Sequence, residues 1–176
     1  MFYNYELLTI SFASVKRLSN TLILLLFASV FLIASCNTID LYERAASIPN
    51  YSWQSTYKPK FTFDISDTTS SYQVYIILRH NEKYNYNNIW LNLYAQAPGD
   101  STQKFMLELP LATNDKGWLG TAMDDLYEHR VALTLDPQKF NFKKKGTYTF
   151  TLEQVMREDP LQHVMNVGIR LEKKEP

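Results

Sequence analysis

Gly146-Thr147-Tyr148-Thr149-Phe150-Thr151-Leu152 is the stretch that decides the fold. Tyr148, Phe150 and Leu152 fall on one side of an extended chain, and the three threonines fall on the other. A period of two is the spacing of a half-buried strand, because successive side chains point to opposite faces. Thr, Tyr and Phe all suit a pleated surface with one covered side. Lys143-Lys144-Lys145 and then Gly146 supply a basic turn in front of it.

The same period recurs outward from this stretch. Phe61, Phe63 and Ile65 alternate with Lys60, Thr62 and Asp64. Tyr72 to Arg79 is apolar on both faces around Ile76-Ile77-Leu78. Ile89, Leu91 and Leu93 alternate with Trp90, Asn92 and Tyr94, and Phe105, Leu107 and Leu109 with Met106 and Glu108. Trp118 to Met123 and Val131 to Leu135 are shorter candidates, and Val167, Ile169 and Leu171 alternate with Gly168, Arg170 and Glu172. Turn residues separate the runs, as in Ala97-Pro98-Gly99-Asp100 and Asn114-Asp115-Lys116-Gly117. About eight short strands with turn signals between them predict an all-β protein, an antiparallel β-sandwich of jelly-roll or immunoglobulin-like form. Glu153 to His163 is expected to be a helical turn or a long connection.

The N-terminal part reads differently. Residues 21–33 are an uncharged apolar run preceded by Lys16 and Arg17. That is the layout of a signal peptide, and the run is short for a membrane-spanning helix. Ile33-Ala34-Ser35-Cys36 follows and resembles the bacterial lipobox, in which the cysteine is acylated and the chain is cut before it. The expected organisation is a cleaved signal-peptide helix over residues 1–35, a lipidated tether over 36–58 and a β-sandwich domain over 59–176. Leu41 to Ala46 is expected to form at most a brief helical turn within the tether.

Composition limits what such a domain does. The chain has 18 basic and 18 acidic residues, so no basic surplus is available to hold nucleic acid. There is one cysteine, which excludes an internal disulfide and suits an anchor. No cofactor or metal is expected, since the three histidines His80, His129 and His163 are not at ligand spacing. They read as surface or edge residues beside turns and charges. Asp124-Asp125 is the nearest local carboxylate pair, and a turn accounts for it equally well. No nucleophile motif is present, so the chain reads as a non-enzyme. Trp53, Trp90 and Trp118 are the candidate ligand or partner contacts. Exposed on a sandwich they would stack on sugars, which makes a glycan-binding envelope lipoprotein the alternative reading, whereas buried indoles usually pack with the N–H tied off.

Several phrases in order resemble one family. They are Phe61-Thr-Phe-Asp-Ile-Ser-Asp-Thr68, Tyr72 through Asn81, Tyr86-Asn-Asn-Ile-Trp-Leu91 and Gly117-Trp-Leu-Gly120. Gly146-Thr-Tyr-Thr-Phe150, Gln154-Val-Met-Arg157 and Val167-Gly-Ile-Arg170 complete the set. Placed after an acylated cysteine, these are similar to the GldH gliding-motility lipoproteins of Bacteroidota. The resemblance implies a membrane-anchored, non-enzymatic component of the motility or associated envelope and secretion apparatus, with other envelope proteins as partners. It carries over one position, the acylated Cys36. Asn37-Thr38-Ile39-Asp40 lacks the acidic cluster that resembles a surface-export signal, which favours the periplasmic face, and Asn37 is not the Asp that marks inner-membrane retention in other phyla, which favours the outer membrane.

Overall fold

The computed structural model describes residues 41–136 and 140–174. The leader, Ile33-Ala34-Ser35 and Cys36 lie outside the described residues. Along the chain the strands are β1 (Leu41–Ser47), β2 (Ser52–Trp53), β3 (Lys60–Ile65), β4 (Tyr72–Asn81) and β5 (Asn88–Gln96). Then follow β6 (Gln103–Pro110), β7 (Ala112–Thr113), β8 (Gly117–Trp118), β9 (Thr121–Met123) and β10 (Leu126–Leu133). The last three are β11 (Gly146–Gln154), β12 (Leu161–Gln162) and β13 (Val164–Lys173).

Two antiparallel sheets make the sandwich, one of order β1-β13-β4-β10-β9 and one of order β3-β11-β5-β6. Leaving aside the strands of two or three residues, the first sheet takes the first, last, third and sixth long strands. The second takes the second, seventh, fourth and fifth. That interleaving is the jelly roll, which resolves the two sandwich types left open by periodicity.

Alternation sets the core. Phe61, Phe63 and Ile65 of β3 are buried while Lys60, Thr62 and Asp64 are exposed. On β11, Tyr148, Phe150 and Leu152 are fully buried beneath the four-stranded sheet. The other sheet answers with Val74, Ile76 and Leu78 of β4 and Val167, Ile169 and Leu171 of β13, all in the same apolar cluster. Aromatic rings fill one end: Phe63 packs edge-on to Phe150 at 5.2 Å between centroids, and Tyr42 of β1 meets Phe63 at 5.1 Å. Each fully buried ring or branched side chain contributes roughly 1.5–3 kcal/mol relative to exposure.

Part of the segment expected as a tether, 36–58, belongs to the fold. Residues 41–47 are a strand rather than a helical turn, paired residue for residue with β13 from Leu41↔Glu172 to Ser47↔Asn166. Gly168 permits this approach, since a Cβ there would collide with the Arg44 carbonyl and lie 2.9 Å from the Ala45 Cα. Trp53 then enters the core as part of β2, paired with β12. A strand with weak periodicity reads as a tether because half its face is polar and its partner lies more than a hundred residues away. Likewise, β11 runs to Gln154 and is followed by a connection to β12 without a helix. The run expected at Val131 to Leu135 begins earlier, at Leu126.

Candidate functional site

Strand register places the outward side chains of the four-stranded sheet in rows. Thr151 of β11 is opposite both Lys60 of β3 and Tyr94 of β5, and Tyr94 is opposite Lys104 of β6. The next row is Glu153, Asn92 and Met106. Trp90 pairs with Glu108, and its carbonyl accepts from the Val155 N–H at 3.0 Å. Ile89, Leu91 and Leu93 turn inward on the same strand and are fully buried.

Glu153 organises the middle of this face. Its side chain is 14% exposed and its Oε1 lies 2.5 Å from the Lys58 ammonium. Its Oε2 accepts from the Tyr94 hydroxyl at 2.6 Å and the Asn92 amide at 2.9 Å. Burial pulls the Glu153 carboxyl up, but Lys58, Tyr94 and Asn92 outweigh it and hold the group down at about 2. Lys58 and Lys104 both sit over the Tyr94 ring, at 5.7 and 5.6 Å from its centroid. Around this polar knot apolar atoms stay in solvent: Met106 is 69% exposed and Val155 37%.

The outer face of the five-stranded sheet is built from ion pairs instead. Arg79 of β4 donates to Glu128 of β10 at 2.6 Å. Arg170 of β13 pairs with Glu43 of β1 at 2.5 Å and also with Glu172. Beneath them Ile77 is 1% exposed although it points away from the core, and it stands apart from the main apolar cluster. Its cross-strand neighbours are Arg130 and Gly168.

At one end of the sandwich interior sits a histidine pair. His80 and His129 are buried, which corrects the expectation of surface or edge histidines. His80 lies on the inward side of β4, two residues on from Leu78, and His129 on the inward side of β10. Their Nε2 atoms are 2.9 Å apart, and His80 Nδ1 lies 2.8 Å from the Asn81 carbonyl. Only a protonated Nδ1 can donate to that carbonyl, so neutral His80 has a bare Nε2 and accepts from His129 Nε2–H. Tyr84, Trp118 and Tyr127 ring the pair, with Trp118 4.4 Å from His80 between centroids. Gly120 closes over it: a Cβ there would lie 2.9 Å from the His129 ring and 2.6 Å from the Glu128 carbonyl. Burial lowers both imidazoles, and the neighbouring His80 adds to burial in bringing His129 down to about 4. The pair is therefore a neutral, aromatic-walled structural contact at neutral pH.

The three tryptophans are not brought together. Trp53 is fully buried with its indole N–H donating to the Tyr57 carbonyl at 2.8 Å. Trp118 belongs to the histidine cluster, and Trp90 lies on the outer face of β5. Asp124-Asp125 is the two-residue turn of the β9–β10 hairpin, with Asp124 in left-handed backbone at φ +54°. In the basic turn, Lys144 pairs with Asp100 of the β5–β6 turn at 2.5 Å. A groove of about 460 Å³ opens beside the β3–β4 turn, lined by Thr69, Tyr72, Leu133, Leu135, Phe142 and Lys143 among others. It places neither a histidine nor a carboxylate on its wall among the described residues. No group of three or more histidine, cysteine or carboxylate side chains gathers at metal-binding distance among them either.

A jelly roll with a buried histidine pair and two contrasting outer faces defines the class, a two-sheet β-sandwich protein. The family model described as GldH lipoprotein matches residues 40–171, from the start of β1 to within two residues of the end of β13, and the chain belongs to that family. The gliding motility lipoprotein GldH of Flavobacterium johnsoniae is 28% identical over 166 residues, covering 90% of this chain and 99% of the relative. A GldH homologue of Christiangramia forsetii is 25% identical over 154 residues, covering 84% of this chain and 92% of the relative. Both alignments extend beyond the sandwich into residues before Leu41. Family membership makes the chain a lipid-anchored protein of the cell envelope associated with gliding motility.

Proposed function

We propose that this protein is a structural and interaction component of the gliding-motility apparatus or of the envelope and secretion machinery allied to it. Cys36 carries the anchor, and Ile33-Ala34-Ser35 directs the cut before it. The domain stands on the periplasmic face, since Asn37-Thr38-Ile39-Asp40 lacks an acidic export cluster, and at the outer membrane, since Asn37 is not the Asp that marks inner-membrane retention in other phyla. Its work is binding other envelope proteins rather than turnover. The observation that carries this reading is the family match across nearly the whole sandwich directly after a lipobox. Two or more acyl chains on one cysteine hold a domain stably at a membrane without spanning it.

The anchor is tested by Cys36→Ala expressed in the host. The expected result is loss of acyl labelling and of membrane sedimentation, with the sandwich still folded by circular dichroism. Continued labelling of that variant would overturn the anchor assignment. Deleting the gene is expected to abolish colony spreading in a gliding host or to impair protein secretion. Wild-type behaviour in both assays would refute the functional reading.

A further inference from the structure

We propose that β6 is a self-association edge: two copies pair β6 with β6 antiparallel, about a two-fold axis through Met106, and join their four-stranded sheets into one continuous sheet. β6 ends the order β3-β11-β5-β6, so its outer side meets no further strand among the described residues. An eight-residue edge is a template for pairing unless something blunts it. This one leaves apolar surface uncovered: Met106 is the most exposed of the large hydrophobics on the described chain, and Phe105 and Leu107 are only half-buried.

The register follows from symmetry and charge. A two-fold axis normal to the sheet keeps outward residues opposite outward residues, so a residue of β6 must sit on the axis. With Met106 there, the two Met106 side chains meet, Lys104 faces Glu108 of the second copy, and Phe105 faces Leu107 of the second copy. Centring on Phe105 sets Lys104 against a methionine, and centring on Leu107 sets it against a proline. Only the Met106 register pairs unlike charges, and it does so twice.

The opposite edge carries a similar charge order, with Lys60, Thr62 and Asp64 outward on β3. Burial separates the two edges. Phe61, Phe63 and Ile65 of β3 are already buried, whereas the carboxylates do not differ: Asp64 accepts from the Thr147 hydroxyl at 2.6 Å and Glu108 from the Asn88 amide at 2.7 Å. β3 therefore has little apolar surface left to cover, while β6 has a methionine and two half-buried side chains. Tethering to one membrane further raises the effective concentration of one copy for another.

The test uses the full lipidated chain. In host envelopes treated with a mild oxidant, Met106→Cys is expected to form a disulfide homodimer, and Thr62→Cys is expected to remain monomeric. In detergent, sedimentation equilibrium is expected to show K104E and E108K each weakening association roughly tenfold, since each places like charges opposite at two symmetric positions. The K104E/E108K double variant is expected to recover association, which also shows that the single variants fold. Cross-linking at Thr62 in place of Met106, a mixed disulfide of Met106→Cys with another protein, or indifference of association to both reversals would each overturn the proposal. A disulfide dimer of the unsubstituted chain would instead mean that Cys36 is unacylated, a failure of the anchor reading that sedimentation of the charge variants distinguishes from a failure of the edge.

Discussion

The two outer faces of the sandwich solve the same problem in opposite ways. Across the five-stranded sheet, arginines of the central strands reach carboxylates on neighbouring strands, and Ile77 among them is buried although it points outward. That face is self-satisfied. Across the four-stranded sheet the one strongly organised carboxylate, Glu153, gathers Lys58, Asn92 and Tyr94 at the centre. Met106 and Val155 are left in water around it. The difference teaches where this fold keeps its free surface. A closed ionic face contributes to stability and solubility, and an open mixed face at a bare strand edge remains available to a partner.

The largest expected effect tests whether the ionic face is also a packing face. Ile77→Ala should cost about 2–5 kcal/mol, the range of a core truncation, although Ile77 points outward. A denaturant midpoint shift worth less than about 0.5 kcal/mol would show that it is not.

The histidine pair that joins β4 to β10 beneath that sheet gives the next effect. Above about pH 6.5 His129 is neutral in both folded and unfolded chains and contributes no pH dependence. As pH falls from 6.5 toward 4, the unfolded chain takes up a proton that the folded site refuses, so stability falls across that window. The loss saturates below pH 4 at a magnitude on the order of 3 kcal/mol. Thermal melts of His129→Gln should show a shallower slope over the same window, and an unchanged slope would reassign the acid sensitivity to His80 or to carboxylates.

On the open face, Glu153→Ala should cost about 1–3 kcal/mol, because Asn92 and the Tyr94 hydroxyl lose their acceptor in a mostly covered site. Glu153→Gln should recover part of this by keeping an acceptor oxygen. Arg79→Ala on the closed face should cost about 1 kcal/mol or less, and the effect should shrink in high salt. Met106→Thr should move stability by less than about 0.5 kcal/mol. If it matched Glu153→Ala, Met106 would be part of the fold and not of a free edge.

Much of the sandwich was legible because alternation is a local signal. Phe61, Phe63 and Ile65 declare their face within six residues, and the buried-exposed pattern of β3 follows the letters directly. β1 was hidden because Leu41–Ser47 gains its order only from β13, at the far end of the chain. β10 was cut short because Glu128 and Arg130 flank His129 and mask its inward position with charge. The histidine pair had no local signal at all. Its one trace is Gly117-Trp118-Leu119-Gly120, where Gly120 lies flush on the imidazole, and that contact is visible only once β9 folds back on β10. Trp53 is core rather than a ligand contact, because an indole with a nearby carbonyl loses nothing by burial.

By itself the sequence determined the all-β class and the inward face of most strands. Each of these is a matter of residue type at fixed short spacing. Tertiary structure decided the jelly-roll order, the entry of β1 and Trp53 into the sandwich, the meeting of His80 with His129 and the contrast between the two outer faces. Those depend on which strand lies beside which, and that pairing is set by the burial of the whole apolar cluster rather than by any one segment.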